Sequence, residues 1–434
     1  MNDLLISAVV VLFGFIGLMF ILSRCRADER PWVVASFFAH IVGGLALILL
    51  TIYFFGGGDM IAYHKFGVFY AEYLSVDFAY YAPEILRYAL RMHTQEPQPF
   101  FMVGETTGAM MGISTWLMFV TGGSLYGGGL LISMLSFLSK FFMYRGFRLV
   151  LPRRYQLRAL CAAMLLPSVV FWSSGLLKEP IAMLGMGPMI WGWAQLIQGE
   201  RRRVGLAALV LGAIPIGVIK PYILFPMLLC GGGWFYWHRQ MTARGQYAVI
   251  KQPLYLVLAC FMSLVGIVFL GAIFPEFAVD NLADEAAGLQ SIGQRVQGGS
   301  SYTITATPTR SMVGQLAIAP IGLLFALFRP LPFDVRNAAM LLNALEMLGL
   351  LWLWWSALRQ RPWRQSLRLV FSSPMLVFCL AFCVMFGAMV GISSTNIGTL
   401  SRYRTPMMPL YALLLLVLAA RQANPNPQTP GATR

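Results

Sequence analysis

Residues 34–59 read VASFFAHIVGGLALILLTIYFFGGGD, an uncharged apolar run from Val34 to Phe55 followed by three glycines and an aspartate. The run matches the roughly 20 residues a helix needs to cross a bilayer. Backbone that cannot hydrogen-bond to lipid must close its own bonds, so such a run becomes a helix. Comparable runs recur along the chain. Bounded by charged or Gly/Pro-rich breaks, they predict about eleven transmembrane helices near residues 4–23, 34–55, 126–144, 157–172, 180–198, 204–219, 222–237, 253–274, 336–357, 370–391 and 406–421. The expected fold is all-α: a polytopic membrane helix bundle forming one domain over residues 1–421. The tail 422–434, with Pro425, Pro427 and Pro430, is expected to be disordered and cytoplasmic.

Composition agrees. Of 434 residues, 58% are hydrophobic and 11% are charged, against roughly 25% charged in soluble domains; the mean hydropathy is +0.69. A water-soluble protein is excluded. The net charge of +15, from 32 Lys+Arg against 17 Asp+Glu, reflects topology rather than a nucleic-acid partner. Basic residues gather in alternate loops, at Arg24/Arg26/Arg30, Arg145/Arg148/Arg153/Arg154, Arg201/Arg202/Arg203, Arg239/Arg244/Lys251 and Arg359/Arg361/Arg364/Arg368. The positive-inside rule makes these loops cytoplasmic, with the amino terminus outside and the carboxyl terminus inside. The first 23 residues lack a basic n-region and a small-residue cleavage site, so they read as a retained helix. Together these features point to a bacterial inner membrane. Six cysteines show no zinc-ligand spacing and read as buried thiols.

Most carboxylates fall on the other side. The first large external loop, residues 56–107, interleaves charges with Tyr63, Phe69, Tyr70, Tyr73, Phe78, Tyr80 and Tyr81, as helices lying in the headgroup zone would. The second is residues 275–335, with a polar middle around Gly298-Gly299-Ser300-Ser301 that is expected to be mobile. Segments 108–122 and 313–328 are apolar, but crossing would place a strongly basic loop outside; both read as re-entrant or interfacial helices.

Three stretches can carry chemistry. In Gly56-Gly57-Gly58-Asp59-Met60-Ile61-Ala62-Tyr63-His64, an acidic group sits at the rim of a spanning helix, where holding an ionised carboxylate is costly. The glycines free the backbone to aim it back over the bundle; otherwise Asp59 is a solvated helix stop. Leu177-Lys178-Glu179-Pro180 begins a helix, where Glu179 suits the positive end of the dipole but Lys178 does not, unless an anion visits. Finally, Lys220-Pro221 forms an external turn and Ser401-Arg402-Tyr403-Arg404-Thr405-Pro406 lies just outside the last helix. Their cations either snorkel as anchors or bind an anionic group. Glu346, midway along 336–357, needs a partner; Asn343 and Arg336 are in reach, and a bundle-stabilising hydrogen bond is its simplest role. His64 could orient a carboxylate. A divalent ion held by Asp59, Glu179 and His64 is conceivable, but spacing gives it no support, and no cofactor is expected. No GxxxxGK[ST] motif for ATP is present.

An Asp beyond an early helix, a long first external loop, a later external acidic turn and a Lys-Pro turn resemble the GT-C superfamily of integral-membrane glycosyltransferases over residues 34–240. The resemblance implies transfer of a sugar from a polyprenyl-phosphate or polyprenyl-diphosphate carrier at the external face to a glycan, lipid or protein acceptor. It places Asp59 at the catalytic acidic position, Glu179 at the later acidic position and Lys220 facing the lipid phosphate. The chain departs from the pattern in having Met60 where many relatives carry a second acid, and in one additional helix before the usual first one. The SRYRTP segment and FRPLPFD, Phe328 to Asp334, look more like exopolysaccharide-cluster and O-antigen-type polymerases. In chemical terms Asp59 would be the base; Lys178, Lys220, Arg402 and Arg404 would contact phosphate; Glu179 would orient the acceptor or Lys178; and Tyr63 and His64 would line the substrate. A single carboxylate favours direct displacement with inversion. A polymerase or ligase of lipid-linked oligosaccharide, and a transporter or flippase built around Glu346, are the alternatives.

Overall fold

The structure, a computed structural model, describes residues 3–94, 102–199, 201–242, 310–336, 338–394 and 396–420, with positions 281, 283–284, 286–288 and 290–291. The expected span 253–274, the Gly298–Ser301 centre of the second loop and the tail 422–434 lie outside the described residues. Among the described residues there are helices and no β-strand. In chain order these are α1 (Asp3–Ser23), α2 (Arg30–Leu49, continued by a π turn over Leu50–Phe54), α3 (Asp59–Val76), α4 (Phe78–Ala89), α5 (Thr106–Val120) and α6 (Leu125–Val150). There follow α7 (Arg153–Met164), α8 (Pro167–Trp172), α9 (Lys178–Gln198), α10 (Arg202–Ile219) and α11 (Pro221–Thr242). The last are α12 (Met312–Phe328), α13 (Ala338–Gln360), α14 (Trp363–Phe371), α15 (Pro374–Ser393), α16 (Ile397–Tyr403) and α17 (Met408–Leu418).

Six of these, α1, α2 with its π turn, α6, α10, α13 and α15, are long and apolar enough to cross a membrane. The expected spans at 180–198 and 222–237 form helices, α9 and α11, that are not among the six. The 406–421 run forms an eleven-residue helix. The 157–172 run is corrected: it breaks after Met164 and restarts as the six-residue α8. Pro167 explains the break, because its ring excludes an amide donor from a continuous ladder yet suits the first turn of a new helix. The apolar segments 108–122 and 313–328 are helical, as α5 and α12.

The core forms where α6 and α9 run together, with α1, α2, α7 and α10 around them and α15 and α17 closing the far side. Small residues permit close crossings. On α9, Gly185 and Gly192 face Gly212 and Gly205 of α10, and a Cβ on Gly185 would stand 2.1 Å from the Gly212 carbonyl oxygen. Such close backbone approach is how helices associate without a hydrophobic driving force between them. Gly185→Ala is therefore expected to destabilise the bundle by about 1–3 kcal/mol, read as a lower thermal midpoint in detergent; an unchanged midpoint would mean the two helices separate freely. A second cluster, built from Met60, Phe66, Tyr70 and Leu74 of α3, Ile85 and Tyr88 of α4, and Met110 and Met118 of α5, covers one end of the bundle.

A carboxylate paired with arginine lies beyond each end of α2. At its start the buried Glu29 accepts from Tyr144 Oη at 2.5 Å and Arg148 Nη1 at 2.9 Å, and pairs with Arg26 Nη2 at 2.7 Å. This cluster joins the first two basic loops. The helix, 25 residues long with its π turn, runs roughly 38 Å, and beyond its other end the glycine turn leads to Asp59.

Candidate functional site

Asp59 reaches its place through the glycine turn. Gly56 and Gly58 have φ of 68° and 116°, a region closed to most side chains, and Asp59 opens α3 directly after them. Its carboxylate is about half exposed. Arg402 Nη1 donates to Asp59 Oδ2 at 3.0 Å, and the same guanidinium places Nε 2.7 Å from Glu179 Oε2. Lys220 Nζ donates to the other Glu179 oxygen, Oε1, at 2.7 Å. Asp59, Glu179, Lys220 and Arg402, drawn from four distant turns, thus form one chain of alternating charge.

Within it the groups are unequal. Glu179 is 1% exposed. Burial alone would raise its carboxyl, but Lys220 and Arg402 override that and hold it at about 2. Burial likewise disfavours the Lys220 and Arg402 cations, and Glu179 pushes both above their ordinary values. Lys220 is sealed: 4% exposed, with Nζ 4.2 Å from the Tyr403 ring centroid. It is placed to fix Glu179, and an incoming phosphate cannot reach it without displacing Tyr403 or Glu179. Tyr63, one turn after Asp59, is buried; burial and then the Asp59 charge raise its phenol.

Lys178 stands apart. It donates to the hydroxyls of Thr106 at 3.1 Å and Thr107 at 2.8 Å, the first two residues of α5, and among the described residues no carboxylate lies within ion-pair distance. Burial and the neighbouring Lys220 and Arg402 cations lower its ammonium to about 8, against the opposing pull of Asp59 and Glu179. It is the site cation whose hydrogen bonds an anion can take over at least loss.

Two expected contributors lie elsewhere. Arg404 is fully buried, and its Nη1 donates to the carbonyls of Ala326, at 3.1 Å, and Arg329, tying down the end of α12. Residues two apart on a helix point roughly 200° apart, which separates its role from that of Arg402. His64 is engaged with the Gly123 carbonyl, Nε2 to O 2.9 Å, in the turn between α5 and α6, and does not join Asp59. Among the described residues no group of three His, Cys, Asp or Glu is placed to hold a metal ion.

Glu346 has neither Asn343 nor Arg336 as its hydrogen-bond partner. It accepts from the amide and the hydroxyl of Ser168, at 2.7 and 2.6 Å. Sequence reasoning missed Lys140, although a single lysine inside an apolar run was visible. It is fully buried, with Nζ 2.8 Å from His40 Nε2, 3.1 Å from the Val169 carbonyl and hydrogen-bonded to Ser173 Oγ. Thr106 and Thr107 carried no signal, because nothing in their spacing ties them to Lys178.

No family model, curated protein or solved structure matches the chain, so the functional conclusion rests on this geometry and on the motifs that compose it.

Proposed function

We propose that the protein is a membrane glycosyltransferase of GT-C type, acting at the end of the bundle that carries Asp59, Glu179 and Arg402, on a sugar linked to a polyprenyl phosphate or diphosphate. The observation that supports this most is the Asp59–Arg402–Glu179–Lys220 chain, where a half-exposed carboxylate adjoins cations anchored by a buried one. Asp59 takes the proton of the acceptor hydroxyl. Arg402, whose planar fork suits phosphate oxygens, and Lys178 stabilise the departing phosphate. Lys220 and Glu179 hold Arg402 in place and do not touch the donor. A lone carboxylate with a phosphate leaving group favours inversion. The reading includes a bacterial inner membrane with the site facing outward, and a glycan, lipid or protein acceptor.

The test is purification of the full chain, mass-spectrometric search for a co-purifying polyprenyl species, and assay of sugar transfer from polyprenyl-phosphate and polyprenyl-diphosphate donors. Absence of both bound lipid and transfer would remove the proposal. Arg402→Ala is expected to weaken donor binding by about 1.5–3 kcal/mol, the range for a hydrogen bond to a charged group, read as the dissociation constant for the donor lipid. Equal affinity in the variant would take Arg402 out of the donor site.

A further inference from the structure

We infer that Lys140 and Glu346 are positioning residues: they clamp the two ends of α8 and so hold the segment Ser173–Leu177 that sets where Lys178 and Glu179 stand. Lys140 lies within the apolar part of α6 and Glu346 within that of α13. A six-residue helix leaves most of its amide and carbonyl groups without partners inside it, and in an apolar interior such groups are expensive to leave bare. Glu346 serves the start of α8, accepting from Ser168 N and Oγ. Lys140 serves its end, donating to the Val169 carbonyl and bonding to Ser173 Oγ, the residue that closes the helix. Ser136 Oγ adds a bond to the same hydroxyl at 3.0 Å. His40 completes the surroundings of Lys140 from α2; its Nδ1 is bonded to the Ser36 carbonyl at 2.7 Å, which leaves Nε2 to accept from the lysine. Among the described residues no carboxylate pairs with Lys140.

The clamped helix leads directly into the site. Beyond Ser173, the Ser174 hydroxyl bonds back to the Val170 carbonyl at 2.6 Å. Gly175 turns the chain with φ of 74°, and a Cβ there would meet Met60 Cε at 2.9 Å and Leu47 Cδ2 at 3.2 Å. Met60 follows Asp59, so the same five-residue segment abuts the base-bearing turn and delivers Lys178 and Glu179. α8 itself packs on α2, on α13 and on α16, the helix that carries Arg402. Fixing α8 therefore fixes three of the site's contributors together. The consequence for catalysis rests on the transferase proposal; the position of the segment does not.

The experiment uses the full chain in detergent or nanodiscs, with Glu346→Leu, Glu346→Gln, Lys140→Met and Ser168→Ala. Two quantities are read: amide hydrogen exchange along residues 173–179, and the pH midpoint for acylation of Lys178, which faces Thr106 and Thr107 and feels Asp59, Glu179, Lys220 and Arg402. The wild-type midpoint should lie near 8. Glu346→Leu and Lys140→Met are expected to raise exchange in 173–179 roughly tenfold or more, as local opening would, and to move the Lys178 midpoint upward towards the ordinary 10.5. Glu346→Gln, which keeps an acceptor for the Ser168 amide and a polar group for its hydroxyl, should restore both. If Lys140→Met does not fold, Glu346→Leu and Ser168→Ala test the other end. An unmoved segment and midpoint in Glu346→Leu, or exchange rising equally in α1 and α15, would overturn the proposal. A wild-type protein without transferase activity would instead sink the transferase reading and leave both readouts intact.

Discussion

Asp59→Asn is expected to lower sugar transfer by about 10²–10⁴-fold, the range for loss of a general base, while leaving donor-lipid affinity nearly unchanged. The amide is isosteric and can still accept from Arg402 Nη1, so the guanidinium keeps its place beside Glu179. What disappears is the ability to take a proton. Steady-state turnover combined with equilibrium lipid binding separates the two, and undiminished turnover would remove Asp59 from the mechanism. The resting geometry adds a refinement. Arg402 lies between the proposed base and Glu179, so a donor phosphate that draws on the guanidinium would free Asp59 to accept a proton only once donor is bound.

Glu179→Gln carries the largest expected effect on stability. It leaves Lys220, 4% exposed, and the mostly buried Arg402 without the anion that both share. Breaking a buried pair by removing one partner costs about 3–5 kcal/mol, so loss of folded yield or a strongly lowered thermal midpoint is expected; a wild-type midpoint would mean that water reaches this cluster freely. The same group predicts a pH dependence. Its folded-state value, about 2, lies below its ordinary 4.5, so its contribution is fully present above about pH 4.5 and is lost as pH falls through about 2. Lys220 runs the other way: raised by Glu179, it contributes below the ordinary lysine value and loses that contribution as pH rises through its folded one. Thermal midpoints of wild type and Glu179→Gln should therefore converge on acidification through this window.

Much of the candidate site is legible in the sequence. Asp59, Glu179, Lys220 and Arg402 each announced themselves as charges at the rim of an apolar run, where a charge needs a reason to stay. Arg404 looked equivalent to Arg402 because a sequence lists neighbours without the angle between them; the end of α16 turns one towards Glu179 and the other into the carbonyls of Ala326 and Arg329. Lys220 looked like a phosphate ligand because its pairing with Glu179, 41 positions away, leaves no local trace.

Apolar run length and charge, properties of the chain alone, determined the helical, membrane-like character that the described residues show, because lipid forces backbone to satisfy itself within each segment. Run length read through Pro167, where one expected span divides into α7 and α8. Only the tertiary structure decided which charges meet, which are sealed and which stay available. Glu346 finding Ser168 and Lys140 finding Ser173 depend on how helices far apart in sequence pack. Ion pairs and hydrogen bonds act over a few ångströms, and sequence spacing fixes such distances only within a helix turn or a tight loop.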